Sequence, residues 1–324
     1  MANVSYSAAF QQGVREEMLQ NDGIFILGTD LYERGGHFAQ VKGIGPEFGR
    51  NRVRDAPISE AAMVAAGVGA AMSGARPLVD LNFDDFAYGA LDEISNQAAK
   101  IRYMWGRNVP LVIRATSGVA LGGAQHNNSM EMLFASIPGL AVVTPSTAYD
   151  VKGLIKSALR ADDPVIFLMH KKLTGVRGPV GGADELVRIG SARRVREGDD
   201  VTVISYSNGM TTATKAADAL AADGVSVDLI DLRSIYPIDV ATLVASVRRT
   251  GRAVILDEAP IFGSVGSQVA AILQQEAFWH LDAPVTVVAA AQSPIPHAPE
   301  LIDALLPSVE RAVAGVRAVI EARA

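Results

Sequence analysis

Short apolar runs recur along the chain, and stretches with helical spacing lie between most of them. The first run is Ile24-Phe25-Ile26-Leu27, closed by Gly28, and further runs follow at residues 77–81, 109–115, 140–143 and 165–169. Runs this short, without alternating polar residues, suit strands covered on both faces. Residues 5–19 read as a helix with Phe10, Val14 and Met18 on one face. Residues 91–104 read as another, with Leu91, Ile94, Ala98 and Ile101 in one stripe, and Thr147 caps a third that runs to Leu159. Strands alternating with helices in this way imply an open, mostly parallel α/β sheet with right-handed crossovers.

The pattern is interrupted at residues 170–185, HKKLTGVRGPVGGADE, where glycines and charges replace the alternation as they do in a linker. A second series then begins. Its strands are expected near 201–205, 225–231, 253–256 and 285–288, and its helices near 209–223, 240–249, 265–276 and 299–321. Two α/β domains are therefore expected, one over residues 1–178 and one over 179–324. With 324 residues, each can hold its own core.

The stretch from Arg54 to Phe86 carries the densest signal. Asp55-Ala56-Pro57-Ile58-Ser59 ends one element, and Ser59 is placed to cap the next helix with its hydroxyl. Glu60 opens that helix and is the only charge between Asp55 and Arg76. Acids are favoured at helix N-termini by the dipole, which is sufficient reason for one here. The alternative is a buried carboxyl that shares a proton with a ligand nitrogen. The small residues from Ala61 to Gly74 make a helix able to pack closely on its neighbours. Beyond the next strand lies Asn82-Phe83-Asp84-Asp85-Phe86, where two phenylalanines can wall a flat ring or fill ordinary core space.

Open α/β sheets bind ligands beyond the carboxyl ends of their strands. Besides the turn before Glu60 and the loop at 82–86, the candidates there are Gly28-Thr29-Asp30 and the glycine-rich segment 117–128. In that segment His126 follows a glycine pair. It is suited to acid–base work near neutral pH, or is simply a surface residue on a loop. His37, in a Gly-Gly-His-Phe sequence, and His297 also fall in turn-rich segments.

Composition excludes several classes. The net charge is −6, with no long basic run, which speaks against nucleic acid as a partner. The absence of cysteine rules out disulfides and thiolate chemistry. No apolar stretch is long enough for a bilayer, and the opening residues lack the basic and apolar blocks of a signal peptide, so a cytoplasmic protein is expected. There is no phosphate loop of the GxxxxGK[ST] kind, no GxGxxG after an opening strand, and no acidic cluster spaced for a magnesium diphosphate.

Longer segments carry a resemblance. GGHFAQVKGIGPEFGRNRVRDAPISEAAMVAAGVGAAMSGARPLVDLNFDDFAYGALDEISNQAAKIRYMWG and GGAQHNNSMEMLFASIPGLAVVTPSTAYDVKGLIKSAL are similar to the β subunit of the thiamine-diphosphate-dependent first component of 2-oxo acid dehydrogenase complexes. GDDVTVISYSNGM, VDLIDLRSIYPID, GRAVILDEAP and SPIPHAPE extend the likeness in order to nearly the whole chain.

The resemblance implies a transketolase-like pyrimidine-binding domain followed by a transketolase C-terminal-like domain. It implies that Glu60 bonds the cofactor's aminopyrimidine, that Phe83 and Phe86 pack that ring, and that His126 faces the substrate during acyl transfer. It further implies an α subunit that holds the diphosphate and Mg²⁺, in a heterotetramer of two α and two β, docked on a lipoyl-bearing acyltransferase core. A potassium ion would sit on backbone carbonyls at Leu159, Ala161 and Asp163. Acetoin dehydrogenase β subunits, the C-terminal half of a split transketolase and a non-catalytic paralogue that only pairs with α are the rival readings. The chain departs from the family pattern at His126-Asn127-Asn128, where His-Ser-Gln is usual, and at Gly28-Thr29-Asp30, where Gly-Glu-Asp is usual.

Overall fold

The structure is a computed structural model that describes residues 3–120 and 122–322. The chain forms two compact units, one of Met1–Ser117 with Leu133–Ile189 and the other of Gly118–Met132 with Gly190–Ala324. The sequence places one boundary at 178/179. The units instead divide at 189/190, and the glycine-rich segment goes with the second unit.

In the first unit the strands run in the order Ala141–Val143, Val165–His170, Val112–Ser117, Arg76–Phe83, Ile24–Gly28 and Val53–Asp55, every neighbouring pair parallel. The central Val112–Ser117 and Val165–His170 are buried along their whole length, which is why they read as continuous apolar runs. Helix Tyr6–Gln20, capped by Ser5, packs on Ala148–Arg160, capped by Thr147. Phe10, Val14 and Met18 enter the core as the spacing predicts, with Phe10 5.7 Å from the Phe167 ring.

Three local expectations are corrected. Part of the supposed linker, Arg177–Pro179, is an antiparallel partner of Asn3–Ser5 and belongs to the first unit. Residues 91–104 do not form one α-helix. A 3₁₀ segment Asp84–Ala90 leads to a π-helical turn Glu93–Ala98 and then to the short helix Ile101–Trp105. Ile94, Ala98 and Ile101 are nevertheless buried and Leu91 is half-buried, so three of the four stripe residues enter the core while the hydrogen-bond ladder changes. Finally, Ser59 occupies the cap position of helix Glu60–Met72 without a side-chain capping bond.

The second unit has a sheet in the order Thr286–Ala290, Ala253–Pro260, Val201–Ser205, Val227–Asp231 and Arg193–Arg196. The first three pairings are parallel, and Arg193–Arg196 adds an antiparallel edge that the sequence pattern does not reveal. Helices Gly209–Ala222, Val240–Thr250 and Val265–Glu276 fall where expected. The expected helix over 299–321 is two, Pro299–Leu305 and Val309–Glu321, because Pro307 cannot continue the first and Ser308 caps the second.

Candidate active site

Strand Arg76–Phe83 loses register with its neighbour Val112–Ser117 between Asp80 and Phe83. Asn82 there takes a positive φ of 64°, and its N–H donates to Asp80 Oδ1 at 2.9 Å. The bulge turns the chain out of the sheet and presents Phe83 to a group of aromatic rings. Its centroid lies 5.5 Å from Phe86, 5.5 Å from Phe38 and 5.4 Å from His37, with Lys171 Nζ 5.4 Å over its face. Phe83 and Phe86 are half-buried and meet edge to face, so part of each ring remains accessible. His37 and Lys171 are members of this group that the sequence did not assign to it. The signal was the Gly-Gly-His-Phe segment, whose partner in space lies more than forty residues away.

Glu60 stands at the first position of helix Glu60–Met72. That helix packs on strand Arg76–Phe83 and on the 3₁₀ segment Asp84–Ala90, the elements that carry Phe83 and Phe86. The carboxylate is partly exposed rather than buried, and among the described residues no group bonds to it. A carboxylate whose oxygens accept from none of the described residues, on the scaffold that also holds two half-exposed aromatic rings, fits a flat heterocycle carrying ring nitrogens.

His126 lies in the second unit, on the segment Gly118–Met132, ahead of helix Glu131–Ala135. It ends a single 3₁₀ turn, Ala124–His126, after Gly122 and Gly123 at φ of 133° and 76°. The loop starts from a bond of Val119 N–H to Glu258 Oε1 at 2.5 Å. Next to Glu258, the buried Asp257 accepts from the Tyr206 hydroxyl at 2.7 Å and from the N–H groups of Ala259 and Gly266. Burial pushes the Asp257 carboxyl up from the ordinary range. Burial, with the charge of Asp257 beside it, pushes the Tyr206 hydroxyl well above its usual value.

The expected cation loop is already partly engaged. Arg76 donates to the Leu159 carbonyl at 2.8 Å and the Ala161 carbonyl at 2.5 Å, and its Nη1 lies 3.5 Å from Asp162. The Asp163 side chain pairs with Arg102 at 2.7 Å. A guanidinium charge thus meets two of the three carbonyls proposed for potassium, so this loop does not fit an open cradle for that ion. Among the described residues no group of three or more His, Cys, Asp or Glu side chains is placed to hold a metal.

Residues 2–176 match the family described as transketolase, pyrimidine binding domain, and residues 190–311 match the transketolase C-terminal domain. The 2-oxoisovalerate dehydrogenase subunit beta of Bacillus subtilis (strain 168) is 38% identical over 99% of this chain and 100% of its own length. The pyruvate dehydrogenase E1 component subunit beta of Rhizobium meliloti (strain 1021) is 42% identical over 98% of this chain and 70% of its own. The chain belongs to the E1 β subunits of 2-oxo acid dehydrogenase complexes. Another such relative, the acetoin:2,6-dichlorophenolindophenol oxidoreductase subunit beta of Cupriavidus necator, is 38% identical over 97% of this chain and 96% of its own. A solved split-gene transketolase, an inactive beta4 tetramer, superposes with a TM-score of 0.83 at 25% identity, covering 100% of both chains. The chain has two mostly parallel α/β sheets, and no helix among its described residues is long and apolar enough to cross a membrane.

Proposed function

We propose that this chain is the β half of a thiamine-diphosphate-dependent dehydrogenase. It decarboxylates a 2-oxo acid of the pyruvate or branched-chain type and passes the acyl group to a lipoyl carrier, at a site shared with an α subunit. The observation that carries the reading is the Glu60 carboxylate, unbonded among the described residues, heading the helix that packs on the elements of Phe83 and Phe86 in a chain of E1 β type. Thiamine diphosphate supplies the carbanion chemistry when bound. The chain's own residues bind and steer. Phe83 and Phe86 flank the pyrimidine and exclude water from its face. Glu60 accepts a proton shared with a pyrimidine nitrogen and so sets which nitrogen of the ring is basic. His126 moves a proton during transfer to the lipoyl group. Mg²⁺ and the diphosphate are assigned to the α subunit, and no step is assigned to potassium.

An α partner also accounts for the large apolar side chains left exposed on helix Ile101–Trp105, after the π-helical turn, with Tyr103 94% and Trp105 59% accessible. The acetoin relative, as similar as the branched-chain one, supports a second reading in which the same site cleaves a hydroxyketone. The test is to co-express the chain with its α subunit, supply thiamine diphosphate and Mg²⁺, and follow reduction of an artificial acceptor across 2-oxo acids and acetoin. Turnover with one 2-oxo acid is expected. Turnover with acetoin alone moves the assignment to the second reading. No turnover from a pair that binds cofactor rejects both and leaves a split transketolase or a non-catalytic partner.

A further inference from the structure

The loop that carries His126 has every reason to be slack. Between Gly118 and Met130 its described residues include a 3₁₀ turn and two consecutive glycines at positive φ. Yet Asn127, beside His126, is 1% exposed. Its side-chain amide is spent inside the loop at both ends. Oδ1 accepts from the Ala120 N–H at 2.7 Å, and Nδ2 donates to the Gly123 carbonyl at 2.5 Å. The base of the loop is tied by Gly118 N–H to the Asn128 carbonyl at 3.2 Å. On the outside, His297 covers Gly123 so closely that a Cβ there would stand 2.4 Å from its Nε2.

We infer that Asn127 is a positioning residue that holds the His126 loop in its working shape before any cofactor or α subunit arrives. The inference rests on the reading of His126 as the proton-transferring group. The chemistry selects this side chain. The leg before the 3₁₀ turn offers Asn127, on the leg after it, a donor in Ala120 N–H and an acceptor in Gly123 C=O. An amide supplies a matching acceptor and donor from one carbon, whereas a carboxylate supplies acceptors only and a serine hydroxyl is a single atom that cannot span both. The departure from the family's His-Ser-Gln is then a brace for the loop and not a loss of function.

The experiment uses the α–β assembly carrying Asn127→Asp or Asn127→Ser, with His126→Ala as a reference. Two quantities are read: amide hydrogen exchange across residues 118–128, and the kcat and KM for acyl transfer to a lipoyl domain. Both Asn127 variants are expected to exchange about tenfold faster in this segment, since a lost net hydrogen bond is worth on the order of a factor of ten. Their kcat is expected to fall with KM for the 2-oxo acid held, while His126→Ala loses kcat with the loop still protected. Unchanged exchange in the Asn127 variants overturns the inference. Faster exchange with unchanged kcat overturns it too, because the brace then does not serve His126. Unchanged kcat in His126→Ala identifies a different failure, that of the functional reading beneath it. If the aspartate variant does not fold, the serine variant alone decides.

Discussion

The Arg114 guanidinium and the Asp80 carboxylate meet 3.2 Å apart inside the first unit, with side-chain exposures of 0% and 3%. The pair anchors both walls of the aromatic group. Asp80 accepts the Asn82 N–H that shapes the bulge before Phe83, and its second oxygen accepts from Gln40 Nε2 at 2.6 Å. Gln40 in turn accepts from the Phe38 N–H, so the loop of His37 and Phe38 hangs from the same carboxylate. Removing one partner of a buried pair leaves an uncompensated charge, which typically costs about 3–5 kcal/mol. Asp80→Ala is therefore expected to lower the free energy of urea unfolding by about that amount and to weaken thiamine diphosphate binding in the assembled enzyme. A loss below about 1 kcal/mol, the level of an exposed pair, would reject the pair as the anchor.

The Tyr206–Asp257 contact gives the second unit a defined pH response. Both groups have folded-state values raised above their unfolded ones, chiefly by burial. A raised group binds more protons in the native state, so its contribution is full below the unfolded value and is lost as pH rises through the folded one. For Tyr206 that loss begins near pH 10, the ordinary range of a tyrosine hydroxyl, and continues upward, because the native hydroxyl keeps its proton while the unfolded chain releases it. Stability should fall above pH 10 by up to about 1 kcal/mol per pH unit from this group. Tyr206→Phe should start less stable at pH 7, by about 1–3 kcal/mol for the lost bond to Asp257, and then converge on the parent as pH rises to 11. Denaturant midpoints at pH 7, 9.5 and 11 check this, and parallel curves would reject it.

The alternation of apolar runs and helices carried most of the fold into view, because burial of a parallel strand on both faces is written locally in its residues. The cap at Thr147 was equally legible. What escaped depends on distant partners. Arg177–Pro179 looks like a linker because its pairing with Asn3–Ser5 spans nearly the whole first unit. The π-helical turn Glu93–Ala98 escaped because an extra residue in one turn leaves the apolar stripe almost intact. In the candidate site, Glu60, Phe83 and Phe86 could be singled out as an isolated charge and an aromatic pair. His37 and Lys171 could not, since only folding brings them to Phe83. Asn127 was visible merely as a departure, and its role lies in the two bonds that it makes across the loop.

Glu60→Gln separates chemistry from folding. The carboxylate bonds to no described residue, so its loss removes only the favourable interaction of a negative charge with the helix N-terminus, on the order of 0.5 kcal/mol. Thermal unfolding and assembly with α are expected to stay near the parent. Turnover is expected to fall by a factor of at least about 10²–10⁴, the usual worth of a positioned acid or base. A variant that keeps full turnover would remove Glu60 from the mechanism, and one that fails to assemble would give it a structural role instead.

The helix behind Glu60 offers a sharper pair of substitutions, because two of its glycines have opposite surroundings. A Cβ on Gly67 would stand 2.7 Å from Val79 Cγ2 and 3.1 Å from Leu111 Cδ1, both on buried side chains. Gly69, two residues on, is exposed and has no atom within 4 Å of such a Cβ. Alanine in place of a helical glycine gains about 0.5–1 kcal/mol where space is free. Overpacking a core contact costs about 1–3 kcal/mol. Gly69→Ala should therefore raise the unfolding free energy slightly with turnover unchanged. Gly67→Ala should lower it and, by pushing the helix off Val79, displace Glu60 and weaken thiamine diphosphate binding in the assembled enzyme. Urea unfolding of the two variants side by side, with cofactor titration of each, tests the helix–sheet contact that holds Glu60. Equal shifts of the same sign would show that Gly67 does not make that close approach.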